Sequence, residues 1–179
     1  ALAGRADFYA EHPQSALHTA YIICAMRGTG EELKHKNEES IDLAAAYLGN
    51  GVVAADLAGA EALFATENFS SLFAKAQRKD VPFTIHAGEA AGPESIKAAL
   101  RLGAQRIGHG VRSLEDAGVI QDLKAANVAL EICPTSNIQT RIFESIECFP
   151  LEQLLDAGLT VTINTDNMTV SNTTLSHEF

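Results

Sequence analysis

Four side chains of chemically capable types stand at points where a fold could gather them: His86 and Glu89 in FTIHAGEA, His109 in RIGHG, and Asp166 in TVTINTDN. Each closes or follows an apolar, strand-prone run. A neutral imidazole can ligate a divalent metal, and a carboxylate three residues on lies far enough along the loop to reach a substrate instead of the same ion. His109 sits between Gly108 and Gly110, a setting in which backbone and ligand can approach a ring closely. An aspartate directly after TVTI would be costly to bury alone and requires a cation, a metal or several donors. Gathered in one crevice, the four suit a metal-activated water with acid and base assistance. Each also has a plainer reading. A strand-end histidine can bond to backbone, an interior one can be satisfied by neighbours, a glutamate can favour the next helix dipole, and an aspartate can make an Asx turn or cap.

A catalytic zinc usually takes three protein ligands plus water, yet only His86 and Asp166 read as ligands here, so the set is incomplete. Cys133 precedes Pro134 with no histidine beside it in sequence, and reads as a packed thiol rather than a nucleophile. Glu131 interrupts an apolar run and is expected to be paired within the sheet. His12, His18, His35 and His177 lie in polar or helical surroundings and read as surface residues.

The elements that must position these residues form a repeating pattern. Six runs read as buried strands, at 20–27, 52–59, 81–88, 106–110, 128–137 and 160–167, each apolar at its start and polar at its end. Between them lie helical patterns. EESIDLAAAYLG stops at Gly49 as a C′ residue, FSSLFAKAQRK follows the second strand, and Pro93 opens PESIKAALRLG. SLEDAGVIQDLKAAN carries Ser113 and Asp116 at capping-box spacing, and PLEQLLDAG is bracketed by Pro150 and Gly158. Alternation of this kind predicts an α/β fold with a parallel sheet covered by helices. Neither GxGxxG nor GxxxxGK[ST] occurs, whereas a polar residue ends strand after strand, which selects a (β/α)8 barrel over a nucleotide-binding sheet. At roughly 30 residues per unit, eight units need about 240 residues. Six units are present. The chain is therefore expected to be a fragment, residues 1–179, of a single barrel catalytic domain, with unpaired sheet edges open to self-association.

Composition narrows the classes further. With 46% hydrophobic and 20% charged residues the chain is expected to be globular. A net charge of −10 without a basic cluster argues against nucleic acid and anionic membranes as partners. Three cysteines without a CxxC spacing suit a reducing cytoplasm, and neither an export signal nor a spanning run of eighteen apolar residues is legible.

Taken in order, DLAG (56–59), HAGE (86–89), IGHG (107–110), CPTSN (133–137) and NTDN (164–167) resemble adenosine deaminases of bacterial type, from the third barrel strand to just past the eighth. The resemblance implies a Zn2+ ion held by His86 and Asp166 together with an HxH pair, of which nothing before residue 20 shows a match. It implies that Glu89 shares a proton with purine N1, that His109 positions the attacking hydroxide, and that Gly59 offers its N–H to purine N3. The implied substrate is a small purine nucleoside, adenosine or 2′-deoxyadenosine, deaminated for purine salvage. Asn167 departs from the aspartate common in the family at the purine N7 contact; an amide can donate to N7 directly, where a carboxyl group would have to be protonated. Two alternatives stay open: an adenine deaminase of the same superfamily, and a fragment that is inactive because the HxH ligands are missing.

Overall fold

The computed structural model describes residues 1–179. Six strands alternate with helices: β1 (Tyr21–Met26), β2 (Val52–Ala58), β3 (Thr84–Ala87), β4 (Arg106–His109), β5 (Ala129–Ile132) and β6 (Val161–Ile163). Every pairing is parallel and between strands consecutive in the chain. β1 pairs with β2 and β3 to β6 form one run, while a bridge from Ala55 to Phe83, with the Ala55 N–H donating to Pro82 O at 2.9 Å, joins the two. This is six strands' worth of a (β/α)8 barrel.

The two-residue period of the strands sorts side chains to two faces. Ile85, Ile107, Leu130 and Val161 share one row of register, and the first three are fully buried against the helices. Each such burial stabilises the fold by about 1.5–3 kcal/mol. One residue along, His86, Gly108, Glu131 and Thr162 form the row on the opposite, inward face. The helices α2 (Glu31–Tyr47), α3 (Ser70–Arg78), α4 (Pro93–Arg101), α5 (Ala117–Ala126) and α7 (Leu151–Asp156) contribute Ile41, Phe73, Ile96, Leu123 and Leu154 to the core.

Several boundaries differ from the sequence reading for local reasons. The fifth strand stops at Ile132 instead of running to residue 137, because Pro134 opens a helix, α6 (Pro134–Gln139), whose first turn is closed by Asn137 N–H donating to Cys133 O at 2.9 Å. α2 begins seven residues before the expected 38, with Gly30 as its N-cap and Glu31 and Glu32 favouring its first turn. The expected Ser113 capping box does not form. Asp116 is itself the N-cap of α5, accepting from Gly118 and Val119 N–H, while Ser113 lies in a preceding turn of 3-10 helix. Pro93 and Gly49 stand as read, at a helix start and in a left-handed conformation after α2. An N-terminal helix, α1 (Leu2–Glu11), escaped the sequence reading because it buries none of its residues and so shows no apolar stripe. No helix is long and apolar enough to cross a membrane.

Candidate active site

His86, His109, Glu131, Cys133 and Asp166 line one cavity of about 200 Å³ at the C-terminal ends of β3 to β6. The inward row explains how they meet. A Cβ on Gly108 would lie 3.0 Å from His86 Nδ1 and 3.1 Å from its Cα, so the glycine before His109 leaves room for the ring of His86, not its own neighbour. The two imidazoles then stand edge to face with centroids 5.1 Å apart. Glu131, expected to be paired, takes Arg106 Nε at 2.9 Å and Thr84 Oγ1 at 2.8 Å.

The ligand candidates are held from behind. Asp56 in β2 lies 3.1 Å from His86 Nδ1, which leaves Nε2 as the nitrogen able to bind a metal, the usual arrangement of a carboxylate behind a ligating histidine. Burial works against a charged ring at His86, but the Asp56 hydrogen bond and charge outweigh it and the pKa is raised. Ser136 Oγ donates to Asp166 Oδ2 at 2.8 Å. Asp166 is exposed, so the expected cost of burying it does not arise, and it is Asn167 that caps the next helix, α8 (Met168–Ser171). Ligand atoms of His109, Cys133 and Asp166 also fall within 4.8 Å of one another. The fold thus brings a histidine near Cys133, which sequence adjacency did not suggest. Burial, reinforced by the charges of Asp166 and Glu89, pushes the thiol well up, which disfavours the thiolate that a nucleophile or zinc ligand requires.

Glu89 and His109 are joined through Asn137, a fully buried residue of α6. Its Nδ2 donates to Glu89 Oε1 at 3.2 Å and lies 3.1 Å from His109 Nδ1. An amide nitrogen can only donate, so His109 Nδ1 is an acceptor and the neutral ring carries its proton on Nε2, which stands 3.6 Å from Glu89 Oε2. Burial holds the pKa of His109 below the usual histidine value, with Glu89 opposing and His86 adding to the effect. The ring is therefore a neutral donor near pH 7. His109 and Asp166 both have left-handed backbone, at φ 61° and 55°, conformations that cost a non-glycine residue about 1–3 kcal/mol and concentrate at functional sites.

Three further residues set the loops. Arg27, buried at the end of β1, donates to Phe64 O, to Thr66 Oγ1 and to His86 O at 2.7, 2.9 and 2.6 Å. Glu61 accepts the N–H groups of Gly88, Glu89, Ala90 and Ala91 at 2.7, 3.1, 2.8 and 3.0 Å. Glu178 accepts the Thr135 N–H at 3.0 Å and so ties down the start of α6. None of these was legible as functional. Gly59 directly follows β2 with φ +106° beside the Arg27 backbone, and Asn167 turns its Oδ1 onto Thr169 and Val170 N–H at 3.1 and 3.0 Å, leaving its amide N–H groups for another partner. His12, His18, His35 and His177 are all exposed. A larger cavity of about 370 Å³, beside Gly28, Lys34 and Phe69, contains none of the four chemically capable residues.

Residues 7–179 match the model of the adenosine deaminase family. The chain is 49% identical over 161 residues to an adenosine deaminase of Haemophilus ducreyi, an alignment covering 88% of this chain and 46% of that protein. It thus spans about half the length of that curated relative. The fold is similar to an adenine deaminase of Arthrobacter aurescens, with a TM-score of 0.79 at 30% identity, covering 92% of this chain and 49% of that one. A Burkholderia ambifaria amidohydrolase solved with bound Zn shares the fold at a TM-score of 0.81 and 18% identity, over 94% of this chain and 47% of its own. With the family motifs lying at the ends of consecutive parallel strands, the chain belongs to the adenosine deaminase family.

Proposed function

We propose that this chain supplies most of the active site of a hydrolytic deaminase that converts adenosine, and 2′-deoxyadenosine, to inosine or deoxyinosine and ammonia. The observation that carries this reading is the Glu89–Asn137–His109 linkage beside His86 and Asp166. His86 through Nε2 and Asp166 through a carboxylate oxygen, which line one cavity, would be two of the ligands of a single zinc ion, whose usual third protein ligand these two do not supply. Bound there, the ion would supply the Lewis acidity that makes water a nucleophile near neutral pH. The chain's own residues do the rest. Glu89 gives a proton to purine N1, drawing electrons from C6; His109 Nε2–H orients the attacking water oxygen as it bonds to C6; of that water's two protons one returns to Glu89 and the other leaves on the C6 amine, so that the C6–N bond breaks with release of ammonia and the oxygen remains as the C6 carbonyl. Gly59 N–H and the Asn167 amide would donate to N3 and N7, and the capped Oδ1 of Asn167 holds its donor end outward. Its three unpaired cysteines suit a reducing cytoplasm, the compartment we assign to this single barrel domain.

The likeness to the Arthrobacter enzyme gives a second reading, deamination of the free base adenine. Ammonia release by the zinc-loaded chain, from adenosine and from adenine in parallel, with bound zinc quantified and Glu89→Gln as control, tests both. Turnover of adenosine abolished in the control supports the first reading; preference for adenine moves the assignment to the second. No zinc and no ammonia identify the 179 residues as an inactive portion of the enzyme.

A further inference from the structure

Glu61 lies two residues beyond Gly59, in the loop after β2, and is 4% exposed. Its carboxylate is the acceptor for four successive backbone N–H groups, one on Oε1 and three on Oε2. Such a run of N–H groups, converging at the end of β3 and just before α4, forms a nest of the kind that usually binds an anion. Here a side chain fills it. The central member of that loop is the backbone of Glu89, so the position of the proposed proton donor is fixed from behind by a carboxylate 28 residues earlier in the chain.

We propose that Glu61 is a positioning residue that sets the spacing between the two groups meeting the six-membered ring of the purine. Gly59 N–H faces N3 and Glu89 faces N1, and Glu61 ties the loop of the second to the strand end of the first through a two-residue link. The assignment rests on the deaminase reading of the site. It is chemically specific, because all four partners are donors and only a group accepting at both ends can hold them. A glutamine has the same shape, but its NH2 would confront either the Gly88 N–H or the three N–H groups on Oε2. Glu61 touches neither substrate nor metal ligand side chain; it acts through Glu89.

The experiment uses the zinc-loaded chain and Glu61→Gln. Misplacing Glu89 by a fraction of an ångström should lower kcat about 10- to 100-fold with KM changed less than about threefold and zinc content unchanged. In the double variant with Glu89→Gln the two losses should not multiply, since Glu61 has no other route to the reaction. Multiplying losses, or a Glu61→Gln enzyme within twofold of the original, would overturn the proposal. Amide hydrogen exchange supplies a second reading that needs no turnover. In the unaltered chain the Glu89, Ala90 and Ala91 N–H groups should be strongly protected, and in Glu61→Gln they should exchange at least about 10-fold faster while α5 is unaffected. Unprotected amides in the unaltered chain would refute the anchor even if the variant does not fold. A chain that holds zinc, has protected amides and is still inactive would sink the deaminase reading and leave the anchor in place.

Discussion

Replacing Asn137 by leucine tests the chemistry of the site with little confusion from stability. Asn137 is fully buried; its Nδ2 serves Glu89 and His109, while its Oδ1 has no hydrogen-bond partner. Leucine of similar size removes both donors and also the unsatisfied oxygen, so the two stability effects oppose one another and the net loss should be about 0–2 kcal/mol. The functional loss has no such offset. His109 Nδ1, on a ring 2% exposed, loses the donor that fixes its tautomer, at a cost of about 1–3 kcal/mol. Carried into the transition state, this is roughly a 5- to 150-fold fall in kcat. Two assays separate the outcomes: ammonia release for kcat, and long-range proton–nitrogen NMR of the His109 ring for the tautomer. The unaltered chain should show the proton on Nε2, and Asn137→Leu a mixture. A ring protonated on Nδ1 in the unaltered chain, or a variant with full kcat and a mixed tautomer, would refute the role given to this linkage.

Gly88→Ala would force a Cβ against Ile96 Cδ1 and Cγ1 at a backbone φ of +71°, so urea unfolding should show a loss of about 2–4 kcal/mol, from strain plus overpacking. Asp116 shows its charge in the acid limb of stability: the Lys97 ammonium at 2.6 Å, aided by the Gly118 N–H, depresses its pKa. A depressed carboxyl contributes stability that is complete above the unfolded value near about pH 4 and fades as pH falls through the folded value. Asp116→Asn keeps a competent N-cap but should flatten that limb in melts below about pH 4; an unchanged slope would show the pair to be inert.

The sequence showed the groups that touch the reaction because each is a polar residue ending an apolar run, a local signal. His86, Glu89, His109 and Asp166 could be found in this way, and the alternation around them predicted the parallel sheet. The supports could not. Asp56 reads as the polar end of a strand, and Glu61 as an ordinary loop acid; what distinguishes them is contact with His86 and with residues 88–91, 27–30 positions away. That information resides in the register of β2 against β3, which the two-residue period does not specify between strands. Asp56 did carry one usable hint, an acid in a run otherwise of valine, alanine and leucine. Glu61 carried none. The misread end of the fifth strand has a similar cause, since the strand-like run VALEIC, broken only by Glu131, continues to Pro134 and only the missing N–H of proline marks the change to helix.

The tie between Glu178 and Thr135 has a temporal consequence. The two residues are 43 positions apart, and α6 between β5 and β6 carries Ser136 and Asn137, which orient Asp166, Glu89 and His109. On a ribosome adding about 5–20 residues per second, Thr135 therefore waits roughly 2–9 s before its partner exists. During translation the strands can pair and the core can close while the start of α6 still lacks its carboxylate. A nascent chain halted before residue 178 would be expected to hold its sheet and yet present an unset site, so that the start of α6 is set only after the strands that carry the site have been made.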